Sequence, residues 1–135
     1  MREGARAPHK GYFRHQCEFI VWGTKGEFPS ERPNGPFPGA FRVPVRRFSD
    51  KFHTTGKPTD LMRQLVRATP QGGVVLDPFA GSGTTLVACE LEGRTGLGFE
   101  LEESYVGIAN TRIAETRALV ARELGNATAR DGRAS

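Results

Sequence analysis

Nine consecutive residues concentrate the chemistry of this chain: Asp77-Pro78-Phe79-Ala80-Gly81-Ser82-Gly83-Thr84-Thr85. An acidic residue closes the apolar run Val74-Val75-Leu76, and the chain then turns through Gly81-x-Gly83 toward a helical segment. Glycines at such a turn let the backbone approach a ligand where a Cβ would collide. The helix start behind them offers unpaired N–H groups, and Ser82, Thr84 and Thr85 add hydroxyls. Glu100 follows Gly83 by 17 residues, at the end of the next apolar segment. A carboxylate there can accept hydrogen bonds from both hydroxyls of a ribose. The segment points to a nucleoside-bearing cofactor. The plain alternative is a tight strand-to-helix turn and nothing more.

The residue types narrow the cofactor. A phosphate-cradling loop needs Gly-Lys-Ser/Thr, but Thr84-Thr85 follow Gly83 with no lysine, which argues against an NTPase. A dinucleotide fingerprint needs a third glycine at the position held by Leu86, which weakens NAD or FAD. An acid before the turn suits a cationic ligand better than a pyrophosphate. S-adenosylmethionine, with its sulfonium, ammonium and ribose, satisfies all of these features.

The elements that must position this turn are legible around it. Pro58 suits the first turn of a helix, in which Leu61, Met62, Leu65 and Val66 form one apolar stripe that Thr69-Pro70 ends. Gly72-Gly73 leads into a strand over 74–77. A helix is expected over about 84–92, then a strand over 95–100 with Leu97 and Phe99 on one face. A long helix begins near Glu102, with Tyr105, Ala109, Ile113, Val120 and Leu124 at roughly helical spacing. From Gly125 onward the chain is polar and is expected to be disordered. Strand, turn, helix, strand, helix is the pattern of a parallel α/β sheet. Upstream, residues 12–22 are rich in aromatic and β-branched types and predict a strand buried on both faces at its end. Nine of the 22 residues from Gly23 to Pro44 are Gly or Pro, so a long surface loop is expected there.

Composition bounds the rest. A chain of 135 residues has room for one small domain. No apolar run exceeds four residues, so neither a transmembrane helix nor a signal-peptide core fits. Two cysteines, Cys17 and Cys89, supply neither a disulfide framework nor a metal knuckle, and a cytoplasmic location is the default. Each is expected to be a small buried hydrophobe. His9, His15 and His53 lie at no usual ligand spacing from them, so no metal site is expected. Residues 1–58 carry a net charge of +6 and residues 59–135 a net of −2. The basic front suits a polyanion such as DNA, the alternative being an ordinary solvated surface. Arg46, Arg47 and Lys51, beside Phe41 and Phe48, either contact phosphates flanking a target or form a solvated loop edge. Trp22 is expected in the core, and Arg112, Arg117 and Arg122 on the solvent face of the last helix.

The nine-residue string, preceded by His53-Thr-Thr-Gly-Lys-Pro-Thr59 and followed by Gly96-Leu-Gly-Phe-Glu100 and Tyr105, resembles the DNA amino-methyltransferases. These are the cytosine-N4 and adenine-N6 enzymes with permuted motif order. The family's segment before the cofactor loop is His-Pro-Thr-Gln-Lys-Pro; this chain departs from it at Thr54 and Gly56. Phe13 to Lys25 is similar to a family strand, Glu-Phe-Ile-Leu-Trp-x-x-Lys-Gly. The resemblance spans roughly residues 12–120. It implies a partial doubly wound, Rossmann-like methyltransferase fold that binds S-adenosylmethionine and acts on double-stranded DNA. It implies that His53, Thr55, Lys57 and Pro58 help form the cofactor pocket. It places Asp77, Phe79, Gly81, Ser82, Gly83 and Thr84 around the methionine part and Glu100 on the ribose.

The family holds the target amine with Asp/Asn/Ser-Pro-Pro-Tyr/Phe/Trp, and no two prolines are adjacent in this sequence. In the permuted order that tetrapeptide precedes the recognition region, upstream of Met1. Residues 1–52 are therefore expected to be the end of the catalytic half with a short recognition loop. Residues 53–124 are then the cofactor half and 125–135 a tail, with no catalytic residue in this chain. Completion by a separate N-terminal polypeptide, or a misplaced gene start, is the expected route to activity, and the exposed edges of a half sheet are expected to drive self-association. The competing expectation is a non-catalytic DNA- or cofactor-binding remnant.

Overall fold

The computed structural model describes residues 11, 17–27, 31, 34–43 and 57–131. The chain forms two compact units, Met1–Ser30 and Glu31–Ser135. In the first, residues 17–24 follow an irregular path and Thr24 Oγ1 donates to the Gly26 carbonyl at 3.0 Å. The strand expected over 12–22 is not formed in its described part, 17–22. Phe19 is 91% exposed and Trp22 78% exposed, and Ile20, Val21 and Cys17 are exposed as well. The expectations of a buried strand end, a core Trp22 and a buried Cys17 are therefore corrected. Aromatic and β-branched residues favour a strand only where a neighbour supplies a ladder and a surface to pack on. Among the described residues, the ladder present joins two other segments.

In the second unit, residues 34–43 form neither helix nor strand, as their proline and glycine density predicts. Asn34 Nδ2 donates to the carbonyls of Arg67 and Ala68 at 2.7 and 3.1 Å, partnering acceptors left over past the end of a helix. That helix is α1 (Thr59–Val66), with Pro58 as its N-cap. Then follow β1 (Val74–Asp77), α2 (Thr84–Glu92), β2 (Thr95–Gly98) and α3 (Glu103–Asp131). The two strands are parallel, with Val74 opposite Thr95 and Asp77 opposite Gly98. Helix α2 makes the crossover that parallel pairing requires. The strand expected to reach Glu100 ends at Gly98, although Phe99 still donates to the Asp77 carbonyl at 2.9 Å.

One face of the sheet carries the core. Val66 of α1 packs with Ala88 and Cys89 of α2, and Met62 and Val75 close around them. Gly96 and Gly98 let α2 lie directly on β2: a Cβ at either would sit within 2.9 Å of a Leu86 methyl. On the opposite face Val74, Leu76, Leu97 and Phe99 are exposed. A doubly wound sheet carries helices on both faces, so the described elements amount to one covered side, a partial Rossmann-like α/β fold.

Helix α3 packs on α2 through the first part of its expected apolar stripe, with Ala109 buried and Tyr105, Ile113 and Val120 half-buried, whereas Leu124 is exposed. One of its arginines departs from the solvent face assigned to it: Arg112 is half-buried and bonds to Ser82 and Thr84, whereas Arg117 is exposed and pairs with Glu90 at 2.6 Å. The helix also continues through Gly125 to Asp131, where a disordered tail was expected. Polarity alone does not end a helix, because each added residue contributes one hydrogen bond once the helix is nucleated.

Candidate functional site

The turn leaving β1 is held by four sets of hydrogen bonds. Asp77 Oδ1 accepts the Phe79 N–H at 3.1 Å, an Asx turn that starts the reversal. Ala80 donates to the Phe99 carbonyl at 2.8 Å, which ties the turn to the end of β2. Gly83 N–H donates back to the Ala80 carbonyl at 2.9 Å, and the Gly83 carbonyl accepts the first α2 bond, from Val87. Glu100 completes the set. Its Oε2 accepts the Gly81 N–H at 2.8 Å, and its Oε1 accepts those of Leu101 and Glu102 at 2.9 and 3.0 Å. One carboxylate thus joins the glycine turn, the end of β2 and the approach to α3.

The two glycines of the turn are both left-handed, at φ +53° for Gly81 and +76° for Gly83, but they face different surroundings. A Cβ on Gly81 would meet nothing within 4 Å, whereas one on Gly83 would lie 2.8 Å from the Cβ of Ala109. Gly81 leaves open space of the kind a ligand needs. Gly83 leaves room for a helix.

A cleft of about 480 Å³ opens over this turn, within the size range of small-molecule sites. Asp77 and Glu100 contribute acidic groups to its wall, and Lys57, at the approach to α1, a basic one. Phe79, Gly81, Ser82, Thr84 and Thr85 also line it, so seven of the residues that the resemblance assigns to the cofactor, and Thr85 beside them, converge here. Phe79 is 87% exposed and forms a bare aromatic rim. Pro58 caps α1 and Gly83 packs under α3; neither lines the cleft. His53 and Thr55 lie outside the described residues, as do Arg46, Arg47 and Lys51.

Met62 and Tyr105 line the cleft too. By sequence Met62 belongs only to the α1 stripe, but it sits one turn after Pro58, at the end of α1 nearest Lys57. Arg112, expected on the solvent face, turns inward to the glycine turn instead. The available signal was its spacing: three residues after the inward-facing Ala109 is the same side of a helix. The Ser82 hydroxyl, expected as a ligand group, is 5% exposed as a residue and accepts from Arg112 at 3.1 Å.

The wall bearing Lys57 and Met62 is anchored away from the cleft. Glu92, at the end of α2, accepts from Nε of Arg63 in α1 and from Nε of Arg67 at its C-cap, both at 2.6 Å. Burial works to raise the Glu92 pKa, but hydrogen bonds from Arg67 and Arg63 outweigh it and hold the carboxyl below its ordinary range. Glu92 in turn raises the Arg67 guanidinium. Among the described residues, no group of three or more His, Cys, Asp or Glu is placed to hold a metal. No described helix is long and apolar enough to cross a membrane.

The chain is similar to type II methyltransferase M2.DpnII of Streptococcus pneumoniae, at 32% identity over 118 residues. That match covers 76% of this chain and 44% of the relative. It is similar also to type II methyltransferase M.ScaI of Streptomyces caespitosus, at 39% over 83 residues, covering 60% and 26%. Among solved structures it resembles that of an M1.HpyAVI–SAM complex, at 35% identity and a TM-score of 0.45, covering 50% of this chain and 34% of that one. The chain spans less than half the length of these curated relatives. A family model described as DNA methylase matches residues 2–111, a span that contains the glycine turn, Glu100 and every residue lining the cleft. The resemblance read from the motifs is borne out: this chain belongs to the DNA methylase family.

Proposed function

We propose that the cleft over Gly81 is an S-adenosylmethionine site, and that the chain is the cofactor-binding part of a DNA amino-methyltransferase acting on adenine N6 or cytosine N4. The observation that carries this reading is the open space above Gly81, bordered by the carboxylates of Asp77 and Glu100. A ligand with a cationic centre and a vicinal diol fits that pairing, whereas a pyrophosphate meets two negative charges. When bound, the cofactor supplies an electrophilic methyl group that an exocyclic amine attacks directly, without a covalent enzyme intermediate.

Each residue then has a task. Asp77 offers negative charge next to the cationic end of the ligand. Glu100 orients the sugar, since a carboxylate has about four acceptor positions and can take hydroxyl donors beside or in place of backbone ones. Phe79 presents an apolar ring at the rim, and His53, Thr55 and Lys57 complete the pocket from the segment before α1, which Pro58 starts. Residues 1–52 belong to the catalytic half and its recognition loop, and residues 53–124 form the cofactor half. Arg46, Arg47 and Lys51 contact the phosphates of double-stranded DNA, a role supported by the +6 charge of residues 1–58.

No Pro-Pro-aromatic tetrapeptide occurs in the sequence, so the chain alone does not turn over. Activity requires an added segment that carries that motif. Calorimetric titration with S-adenosylmethionine, with Gly81→Val as control, tests the cofactor site. Heat from the completed assembly and none from its variant is expected, with weak heat or none from the chain alone. No heat from the completed assembly overturns the assignment. A radiolabelled methyl-transfer assay on DNA tests the rest, and robust turnover by the chain alone refutes the incomplete-enzyme reading. Cofactor binding with no transfer even after completion identifies a non-catalytic remnant instead.

A further inference from the structure

Arg112 reaches from α3 to the floor of the cleft. Its Nη1 donates to the Ser82 carbonyl, to Ser82 Oγ at 3.1 Å and to Thr84 Oγ1 at 3.3 Å. Ser82 is the single residue between Gly81 and Gly83, and both glycines hold positive φ. Glycine passes between positive and negative φ at little cost, so the turn has a soft joint on each side of Ser82. The guanidinium grips the one unit between those joints.

General helix stability does not explain the contact. Arg112 sits where α2 begins, and a cation there opposes the helix dipole. Helix α2 has no acidic residue in its first turn to offset that charge. What the bonds do stabilise is the orientation of the Ser82–Gly83 peptide. With that peptide fixed, the Gly83 N–H stays on the Ala80 carbonyl at 2.9 Å, and Gly81 stays within 2.8 Å of Glu100.

We propose that Arg112 is the positioning residue of the cofactor turn, holding Ser82 so that Gly81 and Glu100 keep the separation a ligand requires. The proposal rests on the reading of the cleft as a cofactor site, yet it has a readout that needs no cofactor. Hydrogen exchange on the full-length chain follows the bonded amides of Ala80, Gly81 and Gly83 beside those of α2. In Arg112→Ala the turn amides should exchange about tenfold faster, the effect of losing charge-assisted hydrogen bonds. The α2 amides and the thermal midpoint should stay near native values. Arg112→Lys, which keeps the charge and a donor but not the planar fork, should recover part of the protection.

Unchanged turn exchange in Arg112→Ala overturns the proposal. So does faster exchange spread evenly over the turn, α2 and α3 with a lowered midpoint, which marks Arg112 as an ordinary helix clamp. Titration with S-adenosylmethionine separates this from the reading beneath it. If the native chain binds, Arg112→Ala should bind about tenfold more weakly, because the ordering of the turn is then charged to binding; native-like affinity counts against the proposal. If neither the native chain nor its completed assembly binds, the cofactor assignment fails while the exchange result still decides the role of Arg112.

Discussion

Replacing Gly83 with Ala adds one carbon, and the structure sets what that carbon costs. Two effects combine. An L-residue at φ +76° occupies the left-handed region, at a cost of roughly 1–2 kcal/mol. The new Cβ also lies 2.8 Å from Ala109 Cβ and 3.2 Å from Ala109 Cα, well inside the roughly 3.5–4.0 Å of a relaxed carbon contact. No flexible side-chain end is available to give way, so α3 must move from α2, at about 1–3 kcal/mol for such overpacking. The expected loss is roughly 2–5 kcal/mol, a large share of the stability of a domain this small.

Gly81→Ala separates the two effects. Its φ of +53° brings the same backbone cost, but the added methyl meets nothing within 4 Å. It should lose only about 1–2 kcal/mol. Urea unfolding followed by far-ultraviolet circular dichroism, with midpoints compared at constant slope, gives both values. Ala109→Gly in the Gly83→Ala background removes one of the two clashing atoms, and a double-mutant cycle should show favourable coupling between the sites. Equal destabilisation by the two alanines, or no coupling in the cycle, would refute the claim that Gly83 exists to admit α3. Ligand binding should show the reverse order, with Gly81→Ala the more harmful once folding is accounted for.

Glu92→Gln removes the carboxylate joining α1 to α2 and should cost about 1–2 kcal/mol at neutral pH, between the values for exposed and buried pairs. Because the folded state holds the Glu92 pKa below its unfolded value, this contribution is complete above the usual carboxylate range and fades as pH falls through the lowered value. Urea midpoints of native and variant chains should therefore converge on acidification, and a gap that persists in acid excludes the ionised carboxylate as its source. Glu100→Ala frees three backbone N–H groups at once, so hydrogen exchange at Gly81, Leu101 and Glu102 should rise together; a rise at Gly81 alone shows that the carboxylate does not bridge. Cys17 is exposed, whereas burial raises the Cys89 thiol. A thiol reagent should label one cysteine rapidly and the second only after denaturation, and two fast labels would show that the α2 core is open.

The elements legible in the sequence are those whose causes are local. Pro58 and Thr69-Pro70 bound α1, Gly72-Gly73 precedes β1, and the turn at 78–83 must separate β1 from α2, because each boundary follows from one residue's backbone or its missing N–H. Residues 17–22 failed because a strand is a relation between two segments, and composition reports only one of them. Gly125 misled for a related reason: an isolated glycine costs a long helix about 1 kcal/mol but does not end it. The same division runs through the site. Asp77, Gly81 and Glu100 were recognisable because the order of strand, turn and strand already brings them together. Arg112 was not, since its partners on Ser82 and Thr84 lie about 30 residues away and its charge by itself reads as a solvent-facing residue. Gly83 joins both cases. Its presence was evident, but its reason was not, because the Cβ it excludes would meet Ala109 rather than a ligand. A Gly-x-Gly turn therefore carries two separate requirements, one from the ligand side and one from the packing side, and only substitution at each position tells them apart.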